Sequence, residues 1–291
     1  MEIGLDENAV VLEVGSGSHP WHRADVLLDR YYKDDAGQRG GGELFVDKRP
    51  IIVAAGERLP FKDKAFDFVY CSHVIEHAED IGAMLREISR VGREGFIECP
   101  NPLLERLLDQ SQHRWYITNA DGKLLICAKN GSNNVTTPAD RFYFHMMSDL
   151  YIIRGYWEHF VTRLFWRGEI KFDIDQDIAR VFSAQPMATD LPAIVAKNAE
   201  RILRRAWLDT IKQKVRQTIG GSPIEKPLRN SWRILRRHLV GVNRPRVSHE
   251  RFVNLLACPH CRSDLSSVDG SFVCNACHHT FAVSRGIPIL L

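Results

Sequence analysis

Cys258-x-x-Cys261 and Cys274-x-x-Cys277, two close pairs with twelve residues between them, constrain this chain more than any other feature. Four thiolates at this spacing make a closed tetrahedral zinc site. A segment as short as residues 251–291 buries too little apolar surface to fold without such a staple. Two pairs together argue against a redox dithiol. A complete set of four sulfurs leaves no open position, so the zinc is expected to be structural. His260, His278 and His279 are then surface neighbours rather than ligands. The other three cysteines, Cys71, Cys99 and Cys127, stand singly among apolar neighbours. That usage suits a reducing cytoplasm with one metal site, not a disulfide framework. The chain has no apolar run of about 18 residues, so no membrane span is expected. Its acidic opening, MEIGLDENAV, leads straight into an apolar strand and does not read as a signal peptide.

Ahead of the ribbon, residues 1–175 alternate strand-like and helix-like stretches, the pattern of an α/β sheet. Strands are expected at 9–14, 24–28, 51–55, 66–71 and 95–99. A helix is expected over 79–91, where Ile81, Met84, Leu85, Ile88 and Val91 recur at helical spacing. Residues 160–165 and 170–174 flank Arg167-Gly168 and read as a closing antiparallel pair. Residues 176–250 read as a basic helical segment with a linker. Leu203, Trp207, Ile211, Val215 and Ile219 form one apolar stripe, and Leu228, Trp232, Leu235 and Leu239 a second. Between residues 201 and 247 there are thirteen Lys and Arg against Asp209 and Glu225, a balance of +11 in a chain whose net charge is +3. The remaining body is therefore mildly acidic.

The first strand runs into Glu13-Val14-Gly15-Ser16-Gly17-Ser18-His19, with a helix expected next. Glycines let a cofactor approach the backbone, and a helix start presents free N–H groups. Asp29, at the end of the second strand, stands where a carboxylate holds ribose hydroxyls. Further on, His73-x-x-Glu76-His77 matches an inverted zinc-peptidase pattern. That chemistry needs both histidines one turn apart on a helix, and a third, distal ligand; no such ligand is evident.

VLEVGSG, LPFKDKAFDFVYCSHVIEH, LREISRVG and a strand ending in Pro-Asn occur in this order. Together they resemble class I S-adenosylmethionine-dependent methyltransferases of the type 11 group. The resemblance is strong over residues 9–102 and rests on length and pattern over 103–175. It implies a Rossmann-like sheet with an antiparallel closing hairpin. It also implies a cofactor site: Glu13, Gly15, Ser16 and Gly17 under the methionine part, Asp29 on the ribose, and Cys71, Ser72 and His73 closing the pocket. Two positions depart from the pattern. His19 replaces the third glycine of the turn. Ala55 replaces the acid before LPF that meets the adenine, with Glu57 two residues on as its substitute. In this family residues 71–77 run from a strand end into a helix, which sets the peptidase reading aside. Some quinone-pathway relatives hold a divalent cation with an acid-x-x-Glu-His cluster here. With His73 in place of the first acid, no metal is expected there. His73, His77 and His113 are the candidates for a general base.

The ending CPHC…CNACHHTFAVSRGIPILL resembles the small zinc-ribbon activator subunit of tRNA and translation-factor methyltransferases. That family's ribbon docks on a methyltransferase, so residues 287–291 are expected to pack against the catalytic part of this same chain. The expected division is a methyltransferase domain at 1–175 with a substrate-side insert at 103–160, the basic segment at 176–250 and the ribbon at 251–291. Aromatics of the insert, among them Trp115, Tyr116, Phe142 and Trp157, either form core or stack on a sugar or base. The basic helices suit an anionic membrane surface, RNA phosphates or a solvated face. The expected activity is methylation of a small molecule, sugar or lipid-linked glycan precursor at oxygen, in the cytoplasm, with peripheral binding at the inner membrane face. RNA or protein methylation, and a non-catalytic scaffold, are the alternatives.

Overall fold

A computed structural model describes residues 3–33, 44–129, 157–184 and 246–291 of the protein. The basic stripes at 203–239 and the aromatics at 142–156 lie outside the described residues. Three short strands, β1 (Val11–Val14), β2 (Val26–Asp29) and β3 (Ile51–Ala54), are buried on both faces. Their continuous apolar character suits a parallel sheet covered on both sides. β4 (Phe66–Ser72) leads through a short 3-10 turn to α1 (Ile81–Val91), and β5 (Gly92–Pro100) follows at once. Asp80 caps α1 by accepting from the Ala83 N–H at 2.8 Å. The helix buries Ile81, Met84, Leu85, Ile88 and Val91 against the sheet.

α2 (Pro102–Leu108) precedes a hairpin of β6 (Trp115–Ala120) and β7 (Lys123–Ala128). Ala120 pairs with Lys123 across Asp121-Gly122, whose φ angles are both positive, at 50° and 82°. That is the two-residue hairpin turn that matches strand twist. β8 (Val161–Arg167), β9 (Lys171–Asp175) and α3 (Ile178–Ser183) come next. The tail supplies α4 (His249–Leu255), β10 (Leu265–Val268), β11 (Ser271–Cys274), β12 (Thr280–Phe281), β13 (Val283–Ser284) and β14 (Ile287–Leu290).

The central sheet has the order β13-β14-β3-β2-β1-β4-β5-β8. Strands β14 through β5 are parallel, and β8 runs antiparallel beside β5. Chain direction across the sheet reverses between β1 and β4. This is a Rossmann-like α/β sheet, and its switch point is where such sheets leave a crevice.

Two expectations fail. No helix follows the glycine turn: residues 15–25 are turns only. Eleven residues that include Pro20 are too few for a crossover helix. The closing antiparallel pair does not form either. β8 does line β5, but Ile170 is drawn to α1, where its N–H donates to Ser89 Oγ at 3.0 Å. The chain then carries β9 away to pair in parallel with β7, giving a separate sheet of order β6-β7-β9.

The ribbon is part of the body. Ile289 and Leu290 of β14 pair with Val53 and Ala54 of β3. Leu256 bridges Phe61, the Lys62 N–H donates to the Leu255 carbonyl, and the Ala257 N–H donates to the Pro60 carbonyl. Phe252, Leu256, Phe272 and Phe281 join the same apolar core as Leu59, Phe61 and Phe66. Residues 287–291 thus add a strand to the sheet edge, which protects β3 from pairing with another chain.

Candidate functional site

At the C-terminal ends of β1, β2 and β4 lies a cavity of about 370 Å³. Its walls are the turn at 15–19, Asp29 to Tyr31, Glu57, residues 72–74, His77, Ala78 and Met84. The volume falls within the range of small-molecule sites. Gly15, Ser16, Gly17, Asp29, Glu57, Ser72 and His73 are therefore brought together, as the sequence motifs imply. Glu13 and Cys71 are not on the wall; both are buried behind it. Ser18, His19 and Val74, which lie within the quoted motifs, complete it together with Arg30, Tyr31, Ala78 and Met84, which the motifs do not contain.

Asp29 is 6% exposed and organises the cavity floor. Its Oδ2 accepts from the Gly17 N–H at 2.9 Å, and its Oδ1 accepts from the Tyr31 N–H at 2.9 Å. The carboxylate lines the cavity between the glycine turn and Tyr31. Glu57 accepts from the Glu79 N–H at 3.0 Å and lies 3.5 Å from Arg30. It lines the cavity, whereas Ala55 does not.

Gly15 has φ of +79°, and a Cβ there would strike the Val74 side chain. Valine is short and stiff, so it has little room to yield. Gly15→Ala is expected to cost roughly 2 kcal/mol or more of stability and to narrow the cavity. Thermal unfolding and cofactor titration of that variant check both effects.

Glu13 accepts from the Trp21 N–H at 2.8 Å, while Arg49 donates to the carbonyls of Trp21 and Ala24. This knot fixes the short β1–β2 connection. Burial pushes the Glu13 carboxyl up to about 8 against the pull of the Trp21 N–H and Arg49. The folded chain thus keeps a proton that the unfolded chain releases above its ordinary value near 4.5. Stability falls as pH rises between those values, and the full cost is present above about 8. Glu13→Gln preserves the acceptor and removes the charge. It is expected to be more stable than the parent by a few kcal/mol at about pH 9 and little different near pH 5. Urea unfolding at both pH values checks this.

The stretch after β4 is not a helix bearing paired histidines. His73 has φ of +57°, and a single 3-10 turn over Ile75–His77 follows. The peptidase geometry is absent. Burial lowers the affinity of His73 for a proton, but Glu76 and Glu98 override it and raise the imidazole to about 9. A ring that is already cationic suits charge placement better than proton abstraction. Its ring also meets Trp157, 5.6 Å away. His77 goes the other way: burial holds it below its ordinary value. His113 is buried beside it, the two rings meeting edge-on at 4.6 Å. Glu105 escapes the sequence reading, because only the fold sets it beside His113.

In the ribbon, the sulfurs of Cys258, Cys261, Cys274 and Cys277 gather within 4.8 Å of one another. Cys258 and Cys277 are 3.7 Å apart, and Cys261 and Cys274 are 3.3 Å apart. A tetrahedral ion with bonds of about 2.3 Å sets its sulfurs about 3.8 Å apart. The cluster therefore fits a closed four-thiolate site. The exposed His260, His278 and His279 are not part of it.

Residues 28–97 match the family described as methyltransferase domain, and residues 249–286 match the Trm112p-like protein family. The chain joins a methyltransferase domain to a Trm112p-like ribbon. A relative from Methanocaldococcus jannaschii, described as an uncharacterized protein, is 47% identical over 45 residues, which is 16% of this chain and 22% of the relative. The YcgJ protein of Bacillus subtilis overlaps 36% of this chain and 54% of its own, at 20% identity and a TM-score of 0.27. A complex containing the Haloferax volcanii Trm112 methyltransferase activator overlaps 40% of this chain and 66% of its own, at 18% identity and a TM-score of 0.31. This chain thus spans about a fifth of the curated relative and about half of YcgJ. Within the methyltransferase domain, the matched residues hold Asp29, Glu57 and the 72–77 wall but not the glycine turn. Among the described residues, no helix is long and apolar enough to cross a membrane.

Proposed function

We propose that the chain is a working S-adenosylmethionine-dependent methyltransferase that methylates an oxygen of a small molecule, sugar or lipid-linked glycan precursor. The observation that carries the reading is the cavity at the β1–β4 switch point, with the Gly15 turn on one side and the Asp29 carboxylate on the other. A Cβ at Gly15 would clash with Val74, so the close approach of turn and wall depends on glycine. The residues present fit the cofactor. Asp29 would take its ribose hydroxyls, Glu57 its base edge, and Gly15 to Gly17 with Ser72 and His73 its amino-acid part. S-adenosylmethionine, when bound, supplies a methyl group made electrophilic by its sulfonium. The protein's part is to align the acceptor and exclude water. His73 and His77, which line the pocket, would face the acceptor, with Trp157 against the His73 ring.

The ribbon's ion is read as zinc, held by the four cysteines with a structural role. The division into catalytic residues 1–175, a basic segment at 176–250 and the ribbon at 251–291 belongs to the same reading. The basic segment would hold the protein at an anionic surface, which favours a lipid-linked acceptor in the cytoplasm. Transfer of labelled methyl from S-adenosylmethionine to a panel of hydroxylated metabolites, glycolipids, tRNA and proteins tests this. Label in a hydroxyl compound is the expected result. Salt-sensitive labelling of tRNA or of protein in its place would overturn the acceptor class.

A further inference from the structure

Glu76 is fully buried, and neither of its carboxylate oxygens has a hydrogen bond among the described residues. His73 Nδ1 stands 3.4 Å from Oε1, but without hydrogen-bond geometry. His77 Nδ1, next in the chain, is also buried and without a partner among the described residues. Leaving three such atoms dry at one point is costly. The rest of the neighbourhood is arranged for a guest. The buried Nδ1 of His77 stands beside Glu76 and His113. His113 Nδ1 is 2.5 Å from Glu105 Oε2, which directs the lone pair of Nε2 away from that carboxylate. Glu105 is itself fixed by Lys129 Nζ at 2.6 Å. A carboxylate behind an imidazole is the support that metal-binding histidines use. One ligand atom from each of Glu76, His77 and His113 lies within 4.8 Å of the others.

We propose that Glu76, His77 and His113 form a second metal site, distinct from the ribbon, that holds a first-row divalent cation such as zinc or manganese. Two imidazoles and one carboxylate select such an ion over magnesium or calcium. Three protein ligands leave at least one position open. Of the three ligands only His77 lines the cavity, so the ion would sit within the cavity wall, its open position offered to an oxygen of the acceptor. His73, first in the sequence motif, is not counted as a ligand: its N–H donates to the Glu98 carbonyl and its ring stands between Glu76 and Glu98, at 3.4 and 3.5 Å. The third ligand comes instead from the loop between α2 and β6. The role in binding the acceptor rests on the methyltransferase reading; the site itself does not.

The experiment is a metal titration of full-length protein. Zinc content after dialysis against buffered Zn²⁺ is expected to be two ions per chain, falling to one in Glu76→Gln and His113→Ala. In the cobalt-substituted protein, the ribbon gives intense thiolate charge-transfer bands. A second equivalent of Co²⁺ is expected to add weak visible bands without them. Uptake that stops at one ion in the wild type overturns the proposal, and so does a second ion retained by both variants. The cobalt spectrum decides even if a variant fails to fold. Titration with S-adenosylmethionine separates the two readings. Cofactor binding without a second ion sinks the metal site alone. A second ion without cofactor binding sinks the methyltransferase reading alone.

Discussion

Stripping zinc from the ribbon is expected to unfold residues 249–291 and to damage the central sheet with them. Structural zinc sites contribute about 10–16 kcal/mol to small domains, comparable with the whole margin of an ordinary fold at about 5–15 kcal/mol. The ribbon's own core is a few side chains, Phe252, Leu265, Phe272 and Phe281, shared with the body. Loss of the ion removes β14 from the edge of β3 and breaks the Phe61–Leu256 bridge. It also removes Arg262 from Glu87, which binds the Leu59 N–H and pairs with Arg90. That knot anchors residues 59–61, which closely follow the Glu57 wall of the cavity. Chelation, or Cys274→Ser, is therefore expected to lower the melting temperature sharply, to promote aggregation through the bared edge of β3, and to weaken cofactor binding by about tenfold or more. Circular dichroism, light scattering and cofactor titration after chelation check this. An unchanged melting curve and affinity would mean that the ribbon is only tethered to the body.

Asp29→Ala is expected to lose S-adenosylmethionine binding by about a hundredfold or more. The carboxylate performs two tasks. It holds the Gly17 and Tyr31 N–H groups, and so shapes the turn, and in the proposed reading it would take the ribose hydroxyls. Hydrogen bonds to a charged group are worth about 1.5–3 kcal/mol each, and the site loses them in a wall that water reaches poorly. Asp29→Asn keeps the shape with one acceptor and no charge, so it should fall between the parent and the alanine variant. Calorimetric titration of all three gives the order. An Asp29→Ala affinity within about twofold of the parent would place the ribose elsewhere.

Much of this architecture is legible in the amino-acid sequence. The ribbon can be read because four thiols at fixed spacing have one common purpose. Five of the six parallel strands show as short apolar runs, and Asp29 stands out as an acid at a strand end. The chain's ending also indicates that residues 287–291 dock on the body, though not that they extend the sheet. What escapes depends on contacts distant in sequence. The missing helix after Gly17 follows from a connection pinned by Glu13, Trp21 and Arg49. β9 leaves β8 because Ser89, on another element, captures Ile170. Glu76 looks like the middle of a motif. Only the approach of His113, on the loop after α2, with Glu105 of α2 behind it, makes it part of a cluster.

The most direct test of the account is a calorimetric titration of zinc-loaded, full-length protein with S-adenosylmethionine. The prediction is saturable one-to-one binding on the order of micromolar, abolished or greatly weakened in Asp29→Ala. Absence of binding at about millimolar cofactor would contradict it. The cavity walled by His19 and Glu57 would then not be a cofactor site, and the chain would be a scaffold built on a methyltransferase fold.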